Sequence, residues 1–188
     1  MSEKIYIKNM VCPRCISAVE SILNQLQVNY REVRLGEIDL DTKLNLFQLN
    51  KLSEKLENQG FQLIQDRKTS LVERIKALVI DRIHYSSKLE DFSWATYLNK
   101  HLHLDYKYLS SLFSSQENMT LEHYIISQKT ERVKELLVYD ELSLKEIADQ
   151  LDYSSSAYLS SQFKQQTGQS PTAYKQSQNN DRKSLDEI

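Results

Sequence analysis

Polar and apolar residues alternate over residues 4–8 (KIYIK), which is the period a half-buried strand requires. Residues 13–26 bring their apolar side chains round at helical spacing instead, and Pro13 stands where a first-turn proline opens a helix. Alternation returns in VNYREVRLGEIDL and is broken by Gly36, the signature of a two-stranded hairpin. A helical run over 44–58 follows, then Gly60 at the position just past a helix end, then a strand over 61–65. The order βαββαβ predicts an α+β half of the ferredoxin-like, split-βαβ kind. From residue 70 no strand pattern appears. Ser70 with Glu73 and Ser143 with Glu146 have capping-box spacing and introduce LVERIKALVIDRIH and LKEIADQL. The chain is therefore expected to comprise an α/β domain over 1–67, a connecting helix over 68–88, an all-helical domain over 89–177 and a flexible tail over 178–188.

Composition narrows the class. The 188 residues hold 3 Gly and 2 Pro, against roughly 13 and 9 at average usage. Sandwiches and barrels, with a tight turn every few residues, are excluded by that shortage. Gly168 and the Ser170-Pro171 pair mark the end of one helix and the start of another. No stretch reaches the roughly 18 to 20 uninterrupted apolar residues of a membrane span. The start MSEKIYIKNM lacks a basic-then-apolar leader, so a cytoplasmic protein without a membrane partner is expected. No Ser/His/Asp set, catalytic carboxylate pair or phosphate-cradling glycine loop points to an enzyme.

The helical half contains an internal repeat. YLSSLFSSQ at 108–116 and YLSSQFKQQ at 158–166 share Tyr, Leu, Ser, Ser, Phe and Gln at an offset of 50. Each copy follows a short amphipathic helix and a turn, the helix-turn-helix arrangement. Leu109 with Phe113, and Leu159 with Phe163, stand four apart and are assigned to the core. The intervening TLEHYIISQKTERVKELLVYDE reads as one helix of about 19 residues. At 1.5 Å per residue it spans about 28 Å, close to the roughly 34 Å that separates successive major grooves on one face of B-DNA. An array of helical hairpins that docks a protein fits the same pattern.

The stretch KTERVKELLVYDELSLKEIADQLDYSSSAYLSSQFKQQTGQSPTAY resembles the C-terminal signature of the AraC/XylS transcription regulators, through Ile147-Ala148, Tyr158-Leu159, Phe163-Lys164, Gly168, Pro171 and Tyr174. The resemblance implies two helix-turn-helix units that bind double-stranded promoter DNA, with RNA polymerase as a further partner. By position in that family, Lys107, Ser110 and Ser111 would face bases from the first reading helix, and Ser156, Ser160 and Ser161 from the second, with Lys164 and Gln165 beside them. Ser111 and Ser161 stand where many members carry arginine, and Asp152 stands at the usual glycine of the second turn. Residues 70–188 hold 14 Lys and Arg against 17 Asp and Glu, a net of −3. Phosphate neutralisation supplies much of DNA affinity, so a monomer is expected to bind weakly and salt-sensitively, and a homodimer on two sites to bind more tightly. Lys100, Lys107, Lys129, Lys145, Lys164 and Lys175 are the candidate phosphate contacts.

Cys12 and Cys15 are the two cysteines of the chain, at i and i+3 where the first strand hands over to the first helix. That spacing puts both sulfurs on one side of the helix start. The helix N-terminus and Arg14 are expected to lower the thiol pKa. Thiolates select Cu(I) or Zn(II), and two suffice for Cu(I) but leave Zn(II) needing further donors. Met10-Val11-Cys12-Pro13-Arg14-Cys15 is similar to the MxCxxC motif of heavy-metal-associated domains, which implies Cys12 and Cys15 as metal ligands with Met10 in support. Asn9 stands where that family usually has glycine. A thioredoxin-like redox pair, and a degenerate sensor that keeps the thiols unused or binds some other ligand, are the other readings of these thiols. The expected function is thus an AraC-type regulator responsive to a soft metal ion or to thiol chemistry. The alternative is a metal carrier or thiol oxidoreductase whose helical half docks a protein.

Overall fold

The computed structural model describes residues 3–64, 66–86, 92–177, 182–185 and 188. The chain divides into two compact units, Met1–Asp81 and Arg82–Ile188.

In the first unit, β1 (Glu3–Lys8), α1 (Pro13–Gln25), β2 (Tyr30–Arg34), β3 (Glu37–Leu40), α2 (Leu46–Glu57) and β4 (Gln62–Ile64) follow one another. The strands form one antiparallel sheet in the order β2-β3-β1-β4, with Ile5 opposite Ile38 and Ile7 opposite Leu63. Alternation sends Ile5, Ile7, Ile38 and Leu40 to one face, where they form a single core with Val19, Ile22 and Leu23 of α1 and Leu52 and Leu56 of α2. Gly36 turns the β2–β3 hairpin at φ +76, a backbone conformation that side chains with a Cβ rarely adopt. The last residue of the expected strand, Gln65, lies outside the described residues.

The opposite face of the sheet is polar and is covered by α3 (Arg67–Ile80). Arg74 lies over the Tyr6 ring and approaches Glu37, which also accepts from Lys4 at 2.6 Å. Two cations thus accompany a carboxylate that is nearly out of solvent. The Ser70–Glu73 capping box does not form. Asp66 has the extended backbone a cap needs and accepts from the Thr69 N–H at 2.8 Å, so the turn holding Ser70 is already helical. Ser70 is buried inside α3 and donates to the Arg67 carbonyl. The helix expected as a connector over 68–88 therefore lies, as far as Ile80, within the first unit; residues 87 and 88 lie outside the described residues.

A π-helical turn, Asp81–Tyr85, leads into the second unit. There α4 (Trp94–Leu102), α5 (Tyr106–Gln116), α6 (Leu121–Tyr139), α7 (Leu144–Gln150), α8 (Ser156–Thr167) and α9 (Pro171–Gln176) make the described residues all-helical. The long helix between the repeat copies is α6, 19 residues capped by Thr120. The Ser143–Glu146 capping box is present, Ser170 caps α9 with Pro171 in its first turn, and Gly168 closes α8 at φ +81. In the stretch expected to be a flexible tail, Arg182 approaches Glu135, the Lys183 N–H donates to Glu131 and the Leu185 carbonyl accepts from Gln128, so this segment lies along α6.

Candidate functional site

The two helix pairs are built alike. Between α4 and α5, His103 takes a left-handed backbone (φ 55), and Asp105 caps α5 by accepting from the N–H groups of Lys107 and Tyr108. Between α7 and α8, Asp152 takes the same conformation (φ 56), and Ser155 caps α8 by accepting from the Tyr158 N–H. Leu109 and Phe113 bury the inner face of α5, with Phe113 against Tyr124 of α6. Leu159 and Phe163 do the same for α8, with Phe163 edge-on to Tyr174 of α9.

The outer faces show where the expected base-facing residues stand. Lys107, Ser111, Ser161, Lys164 and Gln165 are exposed. Ser110, Ser156 and Ser160 are half-buried, and the Ser160 hydroxyl donates to the Ser156 carbonyl of its own helix. The outward stripe of α8 is therefore centred on Ser161 rather than Ser160. Tyr108 and Tyr158 are 49% and 54% exposed at the third position of their helices. Their recurrence in both copies of the repeat was the signal in the sequence.

Among the lysines, Lys100, Lys107, Lys145 and Lys164 are exposed, and Lys175 pairs with Asp140. Lys129 is half-buried rather than exposed. Its ammonium lies 4.7 Å from the Tyr153 ring centre, and burial lowers its pKa to about 8. Asp152, at the anomalous turn position, accepts from the guanidinium of Arg82 at 2.5 Å, and Arg82 also lies 4.4 Å from the Phe92 ring centre.

His84 is buried beside α6. Its Nε2 meets Gln128 at 3.2 Å and its Nδ1 lies 3.9 Å from Glu135, with Arg132 and Arg182 also acting on it. Loss of solvation brings its pKa down to about 4. The unfolded chain takes up this proton near pH 6.5 and the folded unit does not, so the contribution is complete above pH 6.5 and is lost as pH falls toward 4. The loss is expected to reach about 3 kcal/mol. Denaturant midpoints followed by the fluorescence of Trp94, which reports on this unit, should fall over that window, and His84→Gln should flatten the fall.

In the first unit, Cys12 caps α1 with an extended backbone (φ −153), and Cys15 donates its N–H to the Cys12 carbonyl. The sulfurs are 3.3 Å apart and partly exposed. Burial pushes the Cys15 thiol up, against the expected lowering, because the loss of solvation outweighs its backbone hydrogen bonds to Val11 and Cys12. With metal–sulfur bonds of about 2.3 Å, this separation subtends about 90°, so the thiols fit a chelate only after opening somewhat for a tetrahedral ion. Met10 is buried in the core. No group of three or more His, Cys, Asp or Glu able to hold a metal occurs among the described residues.

Two capped helix pairs joined by a 19-residue helix define a double helix-turn-helix unit. Residues 98–177 match the family described as "Helix-turn-helix domain". The chain is 29% identical over 110 residues to the Msm operon regulatory protein of Streptococcus mutans serotype c (strain ATCC 700610 / UA159), covering 58% of this chain and 37% of that protein. It is 33% identical over 85 residues to the HTH-type transcriptional activator RhaR of Pectobacterium carotovorum subsp. carotovorum (strain PC1), covering 45% and 30%. Among solved structures, the C-terminal domain of AraT, a response regulator from Geobacillus stearothermophilus, aligns with a TM-score of 0.50 and 26% identity, over 60% of this chain and 89% of that one. The helical unit is thus similar to a helix-turn-helix domain. The chain spans about a third of the length of these two curated relatives, and no helix among the described residues is long and apolar enough to cross a membrane.

Proposed function

We propose that this protein is a sequence-specific, double-stranded-DNA-binding transcription regulator of the AraC type. The observation that carries the reading is the duplicated capped helix, α5 and α8, each with a buried Leu–Phe pair and an exposed polar stripe, joined by a helix whose length approaches the spacing of successive major grooves. The weakly charged stripes and the acidic balance of this half favour a homodimer on DNA, which gains affinity through effective concentration. RNA polymerase is the partner through which a bound regulator acts, and no catalytic step is required. The first unit is read as a ferredoxin-like sensor module, on its element order and strand order. Cys12 and Cys15 would hold a soft ion such as Cu(I), or Zn(II) with donors from outside the pair, the ion supplying a thiophilic cross-link between them. A thiol-reactive agent would act at the same two sulfurs.

The test is a mobility shift on the chain's own promoter region at low salt, with and without Cu(I) or Zn(II). Ser111→Glu with Ser161→Glu, both at exposed positions, should abolish the shift while leaving the fold intact. Replacing Cys12 and Cys15 with Ser should remove metal stoichiometry and the metal response together. Failure to bind any genomic fragment would return the helical unit to a protein-docking role; a response surviving without the thiols would show that they are not the sensor.

A further inference from the structure

The two copies of the repeat agree at six of nine positions, and burial separates those six into three kinds. Leu109/Leu159 and Phe113/Phe163 are buried, and packing accounts for them. Tyr108/Tyr158, Ser111/Ser161 and Gln116/Gln166 are exposed, and Ser110/Ser160 are half-buried. Tyr158 meets the Tyr153 ring edge-on at 6.0 Å, but core packing gives no reason for an outward tyrosine, serine and glutamine to recur at the same helix positions 50 residues apart.

A partner surface met twice does give one. We infer, resting on the DNA-reading function proposed above, that α5 and α8 recognise the same short DNA element, so that the operator contains that element twice, about one helical turn apart. The side chains also indicate its base composition. Neither stripe carries an arginine for the bidentate guanine contact; the cations present, Lys107 and Lys164, are not equivalent, facing Ala157 and Ser114 in the other copy. A tyrosine ring offers an apolar surface to the thymine methyl group, and serine bonds to either member of a pair. Tyr108 and Tyr158 sit in the first turn of their helices, the part of a reading helix that contacts base edges, with side chains that lean toward the N-terminus. The shared element is therefore A·T-rich, with a thymine under each tyrosine, and Tyr108 and Tyr158 are its specificity-determining residues. The elements diverge where the exposed positions of the copies do, at Lys107/Ala157, Ser114/Lys164 and Ser115/Gln165.

Selection of binding sites from random duplex DNA by the full chain at low salt tests this. Enriched sites should hold one A·T-rich element twice, with centres about 10 base pairs apart. Deoxyuridine in place of the critical thymine of either element should weaken binding about fourfold, the worth of one buried methyl group. Tyr108→Ala and Tyr158→Ala should each erase the thymine-over-uracil preference in its own element alone, while Tyr158→Phe, which keeps the ring, should preserve it. Enriched sites with two unrelated elements, or Tyr→Ala variants that still prefer thymine, overturn this inference and leave the DNA-binding reading standing. Absence of any enriched sequence overturns both.

Discussion

Phe163→Ala is expected to destabilise the helical unit by about 3 to 5 kcal/mol, the cost of emptying a buried aromatic site, and to abolish DNA binding. Phe163 is 2% exposed and packs edge-on to Tyr174, with ring centres 5.6 Å apart. Leu159 and Phe163 are the buried residues of α8, so the substitution removes most of the apolar surface that holds α8 to its domain. Against a total stability of about 5 to 15 kcal/mol for a domain, that is a large fraction. Trp94 lies in the same unit and is the single tryptophan, so its fluorescence during denaturant unfolding isolates this domain from the α/β unit. Phe163→Leu, which keeps most of the volume, should lose under about 1.5 kcal/mol and retain binding. A stable Phe163→Ala protein that still shifts DNA would show that α8 is held in some other way.

The second large effect concerns Arg82 and Asp152. Arg82 is 3% exposed in the π-helical turn, and its partner Asp152 is 17% exposed between α7 and α8. Removing one member of a buried ion pair leaves the other desolvated and uncompensated, so Arg82→Ala should cost about 3 kcal/mol. Asp152→Gly relaxes the left-handed backbone yet strands the buried guanidinium, and it too should destabilise the unit. Arg82→Met combined with Asp152→Gly should recover most of the loss, giving a non-additive double-mutant cycle on Trp94 unfolding. An Asp152→Gly protein as stable as the parent would mean that the pair contributes nothing. Asp152, where the resemblance to AraC/XylS regulators implies a turn glycine, thus has a structural counterpart, a cation 70 residues away.

Much of this was legible in the chain. Helical spacing, the repeat and the capping signals together located the described helices α4 to α9, and the repeat paired Leu109 with Phe113 and Leu159 with Phe163 because residues four apart share a face. The capping residues Ser143 and Ser170 and the glycines Gly36, Gly60 and Gly168 stand at ends of elements, as their short-range chemistry requires. Where the reading of α3 slipped, two caps competed within four residues. Ser70–Glu73 has the motif, but Asp66 sits a turn earlier and took the role. Among the site residues, Ser160 and Ser161 are neighbours with the same side chain, and burial separates an inward-bonded hydroxyl from an exposed one. The thiol pair was legible as a pair, but the direction of the Cys15 pKa was not, since the local helix terminus argues for lowering and burial argues for raising.

The sequence by itself determined the two-part architecture, the duplicated helix pairs and the placement of two thiols at one helix start, because each depends on residues within a few positions of one another. Tertiary structure decided which tyrosines remain outside, which lysine is half-buried, why Asp152 is accommodated and how Glu37 is held beneath α3. Those outcomes turn on desolvation and on charges brought together from distant parts of the chain, and no local spacing encodes them.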